Sequence, residues 1–86
     1  DKHKVGKRIQ AIRFAKGMDQ TQFSDIIHAT VSALSNWEAG RNLPNKERLK
    51  NIADLAGITV QKLLDVLFFF FNILNISLSS LFAYVV

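Results

Sequence analysis

From Lys4 to about Lys16 the apolar residues Val5, Ile9 and Ile12 recur at helical spacing, Ala15 or Lys16 continues the line, and Gly17 closes the run. The pattern predicts a first helix with one buried face and one basic face. Asp19 then offers an N-cap oxygen, with Gln22 at capping-box spacing behind it. Phe23, Ile26 and Ile27 supply the buried side of a second helix of about two turns. Thr30 caps a third helix that runs to about Glu38 and ends before Gly40. Beyond Pro44, Asn45 caps a fourth, from Lys46 to about Ala56, whose Leu49, Ile52, Ala53 and Ala56 form a core stripe stopped by Gly57. Thr59 caps a fifth, Val60 to about Leu67, which adds Leu63 and Leu64 to the same core. No segment requires a strand, so the fold class is all-α, five short helices around one small core.

The third helix carries the chemistry. Its side chains separate at about 100° per residue into an inward set, Leu34 and Trp37 with Glu38 beside them, and an opposite arc of Ser32, Ser35 and Asn36 with Val31 at its edge. Those are side chains that read base edges. Asn bonds adenine through N6 and N7, Ser bonds several bases, and Val packs on a thymine methyl, all within a major groove wide enough for a helix. The plainer reading of the same arc is a solvated helix face.

Charge sharpens the choice between the two. The chain has 86 residues, 11 Lys and Arg against 7 acids, and a net charge of +4. Six basic residues in the first 16, Lys2, Lys4, Lys7, Arg8, Arg13 and Lys16, face one acid, Asp1, so this stretch carries +5 and the remainder −1. A basic flank beside two short helices joined by a tight turn favours phosphate contact over simple solvation. Enzymatic chemistry finds no support: there is no Cys, no Gly-rich phosphate loop, no pair of carboxylates on a shared face, and only two separated His. No cofactor or metal is expected. The lack of cysteine suits a reducing compartment, and no apolar signal stretch follows the basic start, so the cytoplasm is the expected location.

Residues 5 to 65 resemble the helix-turn-helix domain of the Xre family, which includes the Cro and CI repressors of phages. The likeness rests on Arg13, Gly17, Gln20 opening helix two, Phe23 in the usual Leu position, Leu34, the Trp37-Glu38-x-Gly40 ending, Pro44, and the Gly57-Ile58-Thr59 entry to helix five. It implies a lambda-repressor-like five-helix DNA-binding domain. It also implies that Val31, Ser32 and Asn36 reach base edges, to which the helical arc adds Ser35, while Gln20, Thr30, Arg41, Asn42 and Lys46 hold the DNA backbone. In similar domains the Gln of helix two props the recognition helix, and the Arg of helix one pairs with the Glu of helix three, here Arg13 with Glu38. Two positions depart from the pattern. His28 stands where a left-handed Gly is usual, which His tolerates better than most residues, and Ser24 stands at the usual small position of helix two. His3 reads as flexible terminus.

The last 21 residues, 66 to 86, contain no Lys, Arg, Asp or Glu and include four consecutive Phe. As a helix they would form a second unit about 32 Å long, near the thickness of a bilayer core, so a membrane anchor is one expectation. Another uses Asp65, Asn72, Asn75 and Ser79, which line one stripe of a helix and leave a broad apolar face for a second copy of the chain. A third is a truncated or frame-altered end that is not a functional native segment.

Together these features point to a sequence-specific regulator of transcription, cytoplasmic and nucleoid-associated, binding double-stranded DNA as a homodimer and acting as a repressor on a two-fold symmetric operator. The alternatives are a protein-interaction module of the same shape and a membrane-tethered regulator, each acting through residues 66–86.

Overall fold

The computed structural model describes residues 1–64, and the expectations for residues 66–86, pairing helix or membrane anchor, lie outside the described residues together with the end of helix five beyond Leu64. Five α-helices make up the described chain: α1 Lys2–Ala15, α2 Gln20–Ile26, α3 Val31–Glu38, α4 Lys46–Ala56 and α5 Val60–Leu64. Among the described residues, no helix is long and apolar enough to cross a membrane.

Local chemistry sets where each helix starts and stops. Asp1 accepts from the backbone N–H of His3 at 2.8 Å and so starts α1 two residues before the hydrophobic pattern does. Asp19 and Gln22 complete a reciprocal capping box at α2, and Thr30 and Asn45 accept from Ala33 N and Arg48 N at α3 and α4. Thr59 does the same for Lys62 N at α5. Each such cap satisfies a backbone donor that the helix itself cannot, worth about 1 kcal/mol.

The exits of α1 to α4 share one pattern, in which a left-handed residue lets the next N–H reach back to a carbonyl of the last turn. Met18 N bonds Arg13 O, Ala29 N bonds Ser24 O, Arg41 N bonds Asn36 O and Ile58 N bonds Ala53 O, at 2.9 to 3.2 Å. The left-handed residues are Gly17, His28, Gly40 and Gly57, and His28 holds a φ of 59°. The sequence expectation at His28 is therefore met by the same exit geometry with a Cβ in place.

The core comprises Val5, Ile9, Ile12, Phe23, Ile27, Leu34, Trp37, Leu49, Ile52, Ala53 and Leu63. It differs from the periodic expectation at helix ends. Ala15 and Lys16 are exposed at the end of α1, where the buried guanidinium of Arg13 takes the inward place. Ile26 and Leu64 are each 46% exposed and so do not join the core. In α2 the buried pair is Phe23 and Ser24; Ser24 satisfies its hydroxyl by donating to Thr21 O at 2.9 Å, which makes a polar residue acceptable there.

The basic face of α1 is also thinner than its composition suggests. Arg8 and Arg13 are buried, Arg8 donating from Nη1 to Leu63 O at 2.9 Å across 55 residues of sequence. Lys2, Lys4, Lys7 and Lys16 remain on the surface.

Candidate nucleic-acid interface

α3 is held from behind by a polar cluster and from below by a glycine. Arg13 donates from Nε to Glu38 Oε2 at 2.8 Å and from Nη2 to Glu38 Oε1 at 2.9 Å, and its Nη1 donates to Met18 O at 3.0 Å. The two hydrogen bonds to Glu38 hold the Arg13 guanidinium above its ordinary pKa against the desolvation that lowers it, so Arg13 stays charged. Gln20 Nε2 donates to the same Glu38 Oε1 at 3.3 Å. The first residue of α2 is thereby tied to the last residue of α3, and the angle between the two helices is fixed by side chains rather than by the turn alone.

Gly6, midway along the first half of α1, sits against the end of α3. A Cβ there would lie 2.2 Å from Trp37 O and 3.1 Å from Glu38 O. Only a glycine lets α1 and α3 approach this closely. On the far side, Asn51 of α4 donates from Nδ2 to Ile27 O at 3.1 Å and anchors the exit of α2.

With its rear face fixed, α3 presents Val31, 40% exposed, and Ser32, exposed, to the outside, with Ser35 and Asn36 partly exposed on the same arc. The four side chains expected to read bases thus share one accessible face. Thr30 and Lys46 are exposed at the N-termini of α3 and α4, and Arg41 and Asn42 are exposed in the loop between them. Gln20 is partly buried and faces Glu38 rather than standing free on the surface. The Thr30 hydroxyl oxygen accepts the cap bond from Ala33 N, which leaves its own hydrogen free to donate.

Sequence reasoning missed four residues that position this face. Gly6 carried a signal, since an isolated glycine inside a helical pattern marks a close approach. His3 is not flexible terminus: it lies in α1, and its imidazole underlies Gly40, where a Cβ would meet Nδ1 at 2.3 Å. Lys2 Nζ donates to Arg41 O at 3.4 Å, and Arg41 Nη1 donates to Asn36 Oδ1 at 3.1 Å. Nothing local in the sequence announces the His3, Lys2 or Asn51 contacts.

Two short helices joined by a four-residue turn, the second offering small polar side chains outward and a propped acidic end inward, define a helix-turn-helix domain. The helix-turn-helix family model matches residues 9–63, and the chain belongs to this family of DNA-binding transcription regulators. Over 59 residues the chain is 33% identical to a protein of Enterococcus faecalis named HTH-type transcriptional activator BcrR, covering 69% of this chain and 29% of that protein. Over 58 residues it is 34% identical to the uncharacterized HTH-type transcriptional regulator YazB of Bacillus subtilis (strain 168), covering 67% of this chain and 84% of that protein. The chain thus spans less than a third of the activator, and the likeness concerns the helix-turn-helix part. No solved structure matches the chain at the same stringency.

Proposed function

We propose that the chain is a sequence-specific regulator that inserts α3 in the major groove, reads bases with Val31, Ser32, Ser35 and Asn36, and grips the backbone with Gln20, Thr30, Arg41, Asn42 and Lys46. The observation that carries this reading is the asymmetry of α3. Its inner face is pinned by Arg13, Gln20 and Gly6, while its outer face offers hydroxyls, an amide and one isopropyl group with no core role. Rigid placement matters because a reading side chain gains only about 1–3 kcal/mol of discrimination when it meets the base edge in good geometry.

In this reading residues 1–65 form the DNA-binding domain, and the uncharged residues 66–86 pair two copies on a two-fold symmetric site with half-sites about 34–36 Å apart. A domain bound over a promoter excludes other proteins from it, which is repression. The family likeness to a named activator concerns the same domain and is compatible with either sign, since the sign depends on where the site lies.

The test is selection from a random duplex pool with the full chain, followed by titration of the selected site and of unrelated DNA across a range of salt. A preferred, symmetric site and a steep salt slope are expected, because each phosphate neutralised releases counterions. A partner bound without salt dependence, or equal affinity for all duplexes, would refute the reading. Sedimentation of the same sample distinguishes a dimer from a monomer, and partition into vesicles would replace pairing by anchoring.

A further inference from the structure

Asn36 and Arg41 are joined twice. The Arg41 backbone N–H donates to Asn36 O at 3.0 Å as part of the exit of α3, and Arg41 Nη1 donates to Asn36 Oδ1 at 3.1 Å. The orientation of the Asn36 amide follows from chemistry: a guanidinium has only donors, so only the oxygen of the amide can face it. The loop that carries Arg41 is itself fastened, its carbonyl accepting from Lys2 Nζ at 3.4 Å and the preceding Gly40 resting on the His3 ring.

The consequence concerns which base this pair accepts. Adenine shows the major groove one donor, N6–H, and one acceptor, N7, so an Asn reading it needs both its oxygen and its nitrogen. Here one of the two lone pairs of that oxygen is held by a cation. What Asn36 and Arg41 offer together is the amide N–H of Nδ2, the remaining guanidinium N–H groups and a single acceptor lone pair, an edge dominated by donors. Guanine complements it, because O6 and N7 both accept. Adenine would have to share the one oxygen with the guanidinium and set its N6–H beside donors, leaving guanidinium N–H groups unpaired. We infer that Arg41 determines specificity by holding Asn36 Oδ1, so that the two residues form one donor-rich unit that selects guanine over adenine. This inference rests on the proposed insertion of α3 in the major groove, and it moves Arg41 from the backbone to the base edge and changes the base expected from Asn36 alone.

The experiment uses the full chain and duplexes selected from a random pool, with wild type, Arg41→Ala and Asn36→Ala, each checked for an unchanged helical circular dichroism spectrum and unfolding midpoint. The base pair concerned is identified as the one at which Asn36→Ala loses preference. At that position the wild type is expected to select guanine, and replacing it by adenine or by 7-deazaguanine should weaken binding about tenfold, within the range a good bidentate contact discriminates. Arg41→Ala frees the Asn36 oxygen and should move the preference to adenine. A wild type that selects adenine there, or an Arg41→Ala variant that binds all sequences more weakly with the same base preference, overturns the inference and leaves Arg41 as a backbone contact. Loss of no preference in Asn36→Ala also overturns it while the DNA-binding reading stands. Absence of any sequence-selective binding by a folded wild type overturns the proposed function itself.

Discussion

Arg13 and Glu38 meet in parallel, Nε to Oε2 at 2.8 Å and Nη2 to Oε1 at 2.9 Å, both side chains buried between α1 and the end of α3. Removing one partner leaves a charge without compensation in a region sheltered from water. Glu38→Ala should therefore cost about 3–5 kcal/mol, a large part of the stability of a domain this size. Glu38→Gln keeps the shape and some of the hydrogen bonds and should cost less. The double change Arg13→Met with Glu38→Leu should recover much of the loss, because burying two apolar groups incurs no charge desolvation. Urea titration of the four proteins checks this ordering, and a single Glu38→Ala variant as stable as the double one would contradict it.

The sign of Gly6→Ala is decided by two opposed magnitudes. In an open helix the change should stabilise by about 0.8–1.0 kcal/mol, since Ala is the better helix former. At this position the new methyl carbon would stand 2.2 Å from Trp37 O, a backbone atom that cannot rotate away. Overpacking of this kind costs about 1–3 kcal/mol, so net destabilisation is expected, and α3 must shift outward to relieve it. DNA affinity should fall further than the lost stability explains, because the reading face moves with α3. A thermal midpoint that rises in Gly6→Ala would contradict the close approach.

What the sequence made legible, and what it hid, divides by distance along the chain. Asp19, Thr30, Asn45 and Thr59 act on backbone groups three residues away, and all four caps form where their spacing places them. The Arg13–Glu38 pair was legible through family likeness, and the inward direction of Glu38 through helical phase. Arg8 was not, because its partner is the carbonyl of Leu63, and periodicity assigns an arginine to the surface. Ile26 was misplaced for a related reason: at the end of a helix as short as α2 the apolar stripe outruns the neighbouring surface that would cover it. In the reading face, helical phase found Ser32, Ser35 and Asn36, but the bond that occupies the Asn36 oxygen depends on the loop course that Lys2 and His3 set.

His28 holds a left-handed conformation with φ 59° while its side chain is exposed. Such a conformation costs an L-residue about 1–2 kcal/mol, and His28→Gly removes that cost at the expense of about 0.5–1 kcal/mol of extra unfolded-state freedom. A net gain of about 0.5–1 kcal/mol should result, visible as a rise of a few degrees in the unfolding midpoint. The turn retains its bonds from His28 N to Asp25 O and Ala29 N to Ser24 O, so DNA affinity should be unchanged. A lowered midpoint would show that the imidazole contributes contacts beyond the turn.

Asn36→Ala and Lys46→Ala separate base reading from backbone grip, and stability measurements make the separation cleaner. Asn36→Ala should cost about 1–3 kcal/mol on the selected site, little on unrelated DNA, and relax preference at one base pair. Lys46 is exposed at the first position of α4, where a positive charge opposes the helix dipole. Its removal should therefore raise the unfolding midpoint slightly while weakening binding to all duplexes alike and lowering the salt slope by about one. Fluorescence anisotropy titrations at several salt concentrations, run beside thermal melts, read both effects in the same preparations. A sequence-selective loss in Lys46→Ala would place that side chain at a base edge, and an equal loss on all DNA in Asn36→Ala would remove Asn36 from the reading face.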